Sequence, residues 1–234
     1  PKPRHTTNSN HRYHKWKNLI HGFEPMAANQ LWAADITYIM LNNGDVCYLH
    51  LITDAYSRMI VGWELADTLR ASITIKALEQ AISQTGGVSL EGLIHHSDRG
   101  VQYCCDDYVR TLQTHKIKIS MTEDYNPTDN AIAERANGVI KTETVYSRKT
   151  FNSLEHARNV IGRFIHFYNY RRPHMSIGYK IPAVVHTETG AQKKMWKKKN
   201  YTKKMYNNEN NGISLPCRTT GEDDGCNHHT VYSI

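Results

Sequence analysis

The sequence predicts a mixed α/β fold: a five-stranded sheet flanked by helices. Three observations carry this. Leu31–Met40 is rich in β-branched and aromatic residues and leads through Asn43-Gly44, a hairpin signal, into a second strand pattern. A third strand pattern follows a short turn, which makes an antiparallel meander. Beyond residue 72, helical periodicity alternates with two short apolar strands, and such alternation wraps a sheet in helices.

The elements follow in order. Val46 to Thr53 is the second strand, Asp54-Ala-Tyr-Ser-Arg58 a turn, and Met59 to Leu65 the third strand. Ser72 precedes a helix over Ile73–Gln84, whose apolar positions Ile73, Ala77, Leu78, Ala81 and Ile82 recur at helical spacing. Gly86-Gly87 ends it. Leu93–Ser97 is a short strand halted by Asp98-Arg-Gly100. Tyr103–His115 is expected as one helix and Ile117–Met121 as the fifth strand. Glu123 to Asp129 reads as a polar loop and Asn130–Tyr146 as a helix. Ser153 caps a last helix, which places Leu154, Ala157, Ile161, Ile165 and Tyr168 in register until Arg172-Pro173.

The chain has 234 residues with a formal net charge of +7. The charge is uneven. Residues 1–30 carry +4, residues 31–192 sum to −1, and residues 193–204 hold seven lysines without an acid. This suggests a basic N-terminal arm over 1–30, a core over 31–186 and a lysine-rich tail over 187–234 that does not pack. Basic ends beside a nearly neutral domain suit a polyanion such as DNA, although charged ends also serve solubility. No run of about 18 apolar residues exists, so a membrane span is excluded. The N-terminus lacks the apolar stretch of a secretory signal, and a first residue Pro1 suggests a fragment. Five cysteines, an odd number with Cys104 and Cys105 adjacent, argue against a disulfide framework and suit a reducing cytoplasm. Cys217, Cys226, His228 and His229 have no short zinc-knuckle spacing.

Three acids stand at informative places. Asp35 lies inside the first strand between Ala34 and Ile36, where a carboxylate is costly unless exposed or compensated. Asp98 follows a short apolar strand, at the kind of strand end where α/β sheets build ligand sites. Glu134 lies in the first turns of a helix. Three gathered carboxylates repel one another, and a hard divalent cation such as Mg2+ relieves this. Each also has a simpler structural reading: a turn hydrogen bond, a turn residue, a helix former. Asp54, Asp124 and Asp129 are rival acids, and His95-His96 invites either a zinc or a structural reading.

Five blocks decide between these readings. They are Trp32-Ala-Ala-Asp35-Ile-Thr37-Tyr38, Asp54-Ala-Tyr-Ser57-Arg58, His96-Ser-Asp98-Arg-Gly100-Val-Gln102-Tyr103, Asp129-Asn-Ala-Ile-Ala-Glu134 with Lys141, and Tyr168-Asn169-Tyr-Arg-Arg172-Pro173-His174. In this order they resemble the retroviral-integrase-like catalytic core of bacterial insertion-sequence transposases. They look most like the group whose transposase is made from two overlapping reading frames, insertion-sequence family three.

The resemblance implies a ribonuclease H-like fold and a metal-binding catalytic triad of Asp35, Asp98 and Glu134. It implies two Mg2+ ions, for which Mn2+ may substitute, and strand cleavage and strand transfer at transposon ends. Lys141, seven residues after Glu134 and so on the same helix face, is expected at DNA, with Asn130, Arg171 and Arg172. Double-stranded DNA, both transposon ends and target, is the implied partner of a homo-oligomer in the bacterial cytoplasm, at the nucleoid. Arg135 stands where some members of the resembled family carry serine, and Val101 where serine is frequent. A related nuclease without strand transfer, and an inactive DNA-binding remnant, are the alternatives.

Overall fold

The computed structural model describes residues 9–123, 130–145 and 151–192. Its strands are β1 (Leu31–Met40), β2 (Val46–Asp54), β3 (Ile60–Ala66), β4 (Ile94–Ser97) and β5 (Lys118–Met121). Its helices are α1 (Ala71–Gln84), α2 (Val101–Cys104), α3 (Asp106–Thr114), α4 (Ala131–Ile140), α5 (Leu154–Tyr170) and α6 (Pro182–Val185). A π-helical turn, Lys141–Val145, continues α4, and a 3-10 turn spans Met175–Ile177.

The sheet order is β3-β2-β1-β4-β5. β1, β2 and β3 pair antiparallel, while β4 joins β1 and β5 joins β4 in parallel. The meander and the crossovers read from the sequence thus form one mixed sheet of five strands.

Side-chain alternation along β1 decides which helix layer each residue meets. Trp32, Ala34 and Ile36 enter a core with Ala77, Leu78 and Ala81 of α1 and Tyr108 and Leu112 of α3. Ile39 enters the opposite core, with Ala136 and Ile140 of α4 and Ala157, Ile161 and Ile165 of α5. Asp35 has the parity of Ile39, so its carboxyl belongs to the α4 side. Helix α1 lies very close to β3 at Gly62, where a built Cβ would stand 2.1 Å from the Ala77 carbonyl oxygen. Only glycine permits that approach.

Several boundaries differ from expectation. α1 starts at Ala71 behind Arg70, with no side-chain cap from Ser72. The helix expected over Tyr103–His115 is two helices, because Cys105 is extended at φ −69° and ψ 150°. Asp106 and Asp107 then occupy a fresh first turn, where acids complement the helix dipole. Ser153 caps α5 as read, accepting from the His156 N–H at 3.1 Å.

The ends of the core are tied down further than their composition suggests. The Leu19 N–H donates to Ser120 Oγ at 2.8 Å and the Asn18 N–H to Glu123 Oε1 at 2.9 Å, so the arm runs beside β5 and covers that sheet edge. Residues 187–192, grouped with the tail on composition, pack. The Gly190 N–H donates to the Met26 carbonyl at 2.7 Å, and Gln192 Nε2 to the Tyr56 hydroxyl at 2.6 Å. The lysine run and the Cys217–His229 cluster lie outside the described residues.

Candidate active site

β1 and β4 are parallel with Ala33 beside His96. Continuing that register by two residues sets Asp98, just past β4, beside Asp35. His95 and His96 anchor β4 from within. His95 Nε2 meets the Tyr108 hydroxyl at 2.9 Å and His96 Nδ1 meets Ser120 Oγ at 2.8 Å, both buried, which favours the structural reading of this pair. Asp98 is held by its own turn, since the Gly100 N–H donates to Asp98 Oδ1 at 2.8 Å.

α4 supplies the third side. Asn130 Nδ2 donates to the Ala34 carbonyl at 3.1 Å, which pins the helix start to β1 one residue before Asp35. Along α4 and into its π-helical continuation, Asn137 and Lys141 follow Glu134 at three and seven residues. Asn137 Nδ2 donates to Asp35 Oδ2 at 2.6 Å. Glu134 is exposed in the first turn. Lys141 Nζ lies 4.4 Å from the centroid of the Tyr38 ring. Burial lowers its pKa and the Asp35 charge works against that.

Asp35 is the perturbed group. Burial and then the charge of Asp98 push its carboxyl up to about 7. The Asn137 hydrogen bond and the Ile36 N–H pull it back, and Glu134 adds a smaller upward push. The sequence-read carboxylates therefore sense one another, most strongly Asp35 and Asp98. Among the described residues no three His, Cys, Asp or Glu side chains stand grouped so as to hold a metal ion. The donors are nonetheless hard oxygens, and their mutual repulsion is what a divalent cation reverses, so the residues fit Mg2+.

The rival Asp54 is spent on structure. It is fully buried and accepts from the Asn29 N–H, the Ser57 N–H and the Ser57 hydroxyl, each at 2.8 Å. Asp124 and Asp129 lie outside the described residues. Asn130 is 6% exposed; its Nδ2 is engaged by Ala34, while its Oδ1 is buried without a hydrogen-bond partner. Arg171 is exposed. Arg172 grips Glu143, with Nη2 2.6 Å and Nε 3.1 Å from Oε1, so its charge is already matched. Asn137 was not foreseen. Its only signal is its place between Glu134 and Lys141.

Two sequence models described as the integrase core domain match residues 25–127 and 115–182. The chain belongs to the integrase core domain family. A protein of insertion sequence element IS986/IS6110 from Mycobacterium tuberculosis is 36% identical over 174 residues, 73% of this chain and 62% of that protein. A 31 kDa protein of insertion element IS600 from Shigella sonnei is 40% identical over 182 residues, 77% of this chain and 65% of that one. The transposase InsF for insertion sequence IS3A of Escherichia coli is 32% identical over 164 residues, 69% of this chain and 56% of InsF. The chain thus spans under two thirds of these relatives. The catalytic core of HTLV-2 integrase, solved in complex with magnesium, superimposes with a TM-score of 0.55 at 20% identity, over 70% of this chain and 99% of that one. A chain of the simian T-cell lymphotropic virus intasome gives 0.60 at 19% identity, over 83% and 66%. This integrase core therefore has the ribonuclease H-like fold of retroviral integrase catalytic cores.

Proposed function

We propose that this chain is the catalytic core of an insertion-sequence transposase, cutting and joining DNA strands at transposon ends. The observation that carries the reading is the parallel register that sets Asp98 beside Asp35, with Asn130 and Asn137 docking the helix of Glu134 onto the same strand. Family membership and the relatives' names support the reaction class, a polynucleotidyl transfer.

Asp35, Asp98 and Glu134 would hold two Mg2+ ions, or Mn2+ in their place. Bound there, the metal supplies Lewis-acid stabilisation of charge building on a phosphodiester. The chain's own residues do the holding. Asn137 orients the Asp35 carboxyl, the Gly100 N–H fixes Asp98, and Asn130 sets the start of α4. Lys141 and Arg171 stand to meet phosphates of the transposon end. Arg172, already paired, orders the segment after α5.

In this reading water attacks a transposon-end phosphodiester and leaves a 3′-hydroxyl. That hydroxyl then attacks a target phosphodiester, so one bond breaks for each bond formed. Double-stranded DNA is the partner at both ends and target, and a multimer in the bacterial cytoplasm, at the nucleoid, would pair the ends. Strand-transfer products from pre-cut end DNA and a target plasmid test this. Joined products are expected with Mg2+. Cleavage without joining would favour a simple nuclease, and neither would favour a DNA-binding remnant.

A further inference from the structure

Two of the motif blocks, Asp54–Arg58 and Tyr168–His174, have no part in the carboxylate site. The fold brings them together beside α4, around an open pocket of about 570 Å3. Thr53, Arg58, Arg135, Tyr168, Arg172 and His174 line it.

The polar atoms of this pocket are unusual. Thr53 is 1% exposed and His174 8%, and Thr53 Oγ1, His174 Nε2 and Arg58 Nε are all buried without a hydrogen-bond partner. A buried polar atom left unpaired costs free energy, and a buried unpaired cation costs more. Arg172 is matched by Glu143. Among the described residues neither Arg58 nor Arg135 has a carboxylate within ion-pair distance. The Asp54 charge favours Arg58 from beyond ion-pair distance, and Arg135 is exposed, so two guanidinium groups without a direct ion pair and two unused neutral groups face one space.

Arg58 is also held there against its backbone preference. It sits at φ +67°, a conformation that costs a non-glycine residue about 1 kcal/mol or more. The turn over-determines it. The Arg58 N–H donates to the Asp54 carbonyl at 2.9 Å, and the Asp54 N–H to the Met59 carbonyl at 2.8 Å. Asn169 then clamps the Ile60 N–H and carbonyl, each at 2.9 Å, which ties this turn to α5. Burial and then the charges of Arg172, Arg58 and Arg135 lower the His174 pKa to about 4, so the imidazole is neutral at pH 7.

We propose that this pocket seats a phosphate group of a nucleic-acid strand, with Arg58 and Arg135 supplying charge and Thr53 and His174 supplying hydrogen bonds. A tetrahedral oxyanion uses several donors converging from different directions, and a pocket of this size admits the attached sugar. Tyr179, 59% exposed at the rim, offers a ring for stacking. The pocket face of α4 carries Arg135 and Val139 and lies about a third of a turn from Glu134. One helix therefore presents the carboxylate site on one side and the phosphate seat on the next. The choice of nucleic acid as the phosphate bearer rests on the transposase reading; the anion site itself does not.

The test uses the full chain and two variants. Arg58→Asn keeps a residue that tolerates the left-handed backbone, and Arg135→Gln changes an exposed helix position. Two quantities are read: the Tm in inorganic phosphate against chloride at matched ionic strength, and the Kd for a short DNA duplex with and without phosphate. Phosphate is expected to raise the wild-type Tm and to compete with the duplex. The double variant is expected to lose both responses and about ten-fold or more of duplex affinity. If the double variant folds poorly, Arg135→Gln alone should still weaken duplex binding several-fold. An unchanged phosphate response or duplex affinity in a folded variant overturns the pocket. A phosphate response that does not compete with the duplex overturns the strand seat and assigns the pocket to a free phosphate compound. Asp35→Asn separates the two readings, since it should abolish cleavage and keep the phosphate response.

Discussion

Asn137 of α4 donates a 2.6 Å hydrogen bond to Asp35 of β1 and so joins the helix that carries Glu134 to the central strand of the sheet. The same bond opposes the burial and the Asp98 charge that push the Asp35 carboxyl up to about 7. It stabilises the ionised form, which is the form that can ligate a cation.

Asn137→Ala should therefore lower Mg2+-dependent cleavage by about ten-fold, the usual weight of a hydrogen bond to a charged group. It should also move the acid limb of the pH–rate profile to higher pH, because a restraint on the Asp35 pKa is gone. Asn137→Asp adds a carboxylate and should do worse. A unit lost in rate with an unmoved profile would mean that Asn137 only packs.

Asp35 should weaken the fold above pH 7. A carboxyl whose pKa is raised on folding contributes stability that is fully present below its unfolded value near 3.8 and lost as pH rises through about 7. Asp35→Asn removes that ionisation. Without divalent cations it should raise stability by roughly 2–4 kcal/mol at pH 8 and by a bit under half as much at pH 5. Chemical denaturation at the two pH values measures this. Equal effects at both would show that Asp35 is not strained by its surroundings.

The buried histidines act in the other direction. Burial lowers His50 to about 4, His95 to about 3 and His174 to about 4. A depressed histidine contributes stability present above its unfolded value near 6.5 and lost as pH falls below it. Between about pH 6 and 4.5, unfolding takes up three protons at these histidines and releases one at Asp35. The net slope is about 2.7 kcal/mol per pH unit from these groups. Denaturant midpoints across this window should fall steeply with acid, and more steeply in Asp35→Asn.

Two glycines should separate activity from stability. A Cβ on Gly100 would stand 2.9 Å from Asp98 Oδ1, so Gly100→Ala displaces a flexible carboxylate and should cost activity with little change in Tm. A Cβ on Gly62 would strike the Ala77 carbonyl at 2.1 Å, which is backbone and cannot yield. Gly62→Ala should cost about 2–3 kcal/mol of stability by prying α1 from the sheet. Thermal melts and a cleavage assay on both variants check the contrast.

Much of the fold is written locally in the chain. The β-branched run through Asp35, the Asn43-Gly44 turn and the apolar stripe of α5 each specify an element through its own period. Asp35 and Asp98 draw notice in the sequence because a carboxylate within or just beyond an apolar strand is out of place unless compensated, and the motif blocks around them, not that placement alone, single them out as candidates. Asn137 was not legible, since an asparagine on a helix has no pattern that marks its partner. The break at Cys105 escaped for a similar reason: apolar periodicity continues across it, and only the backbone angles change. The pairing of Leu19 with Ser120 and the meeting of Arg58 with His174 join distant segments, which no local period reports.

The central claim is that Asp35, Asp98 and Glu134 together drive metal-dependent DNA strand cleavage. Its most direct measurement is cleavage of the element's end DNA by the full-length protein in Mg2+ or Mn2+, beside Asp98→Asn and Glu134→Gln. The account predicts cleavage that needs the metal, a loss of at least about a hundred-fold in each variant, and end binding that persists in both. Cleavage that proceeds unchanged in either variant would contradict it.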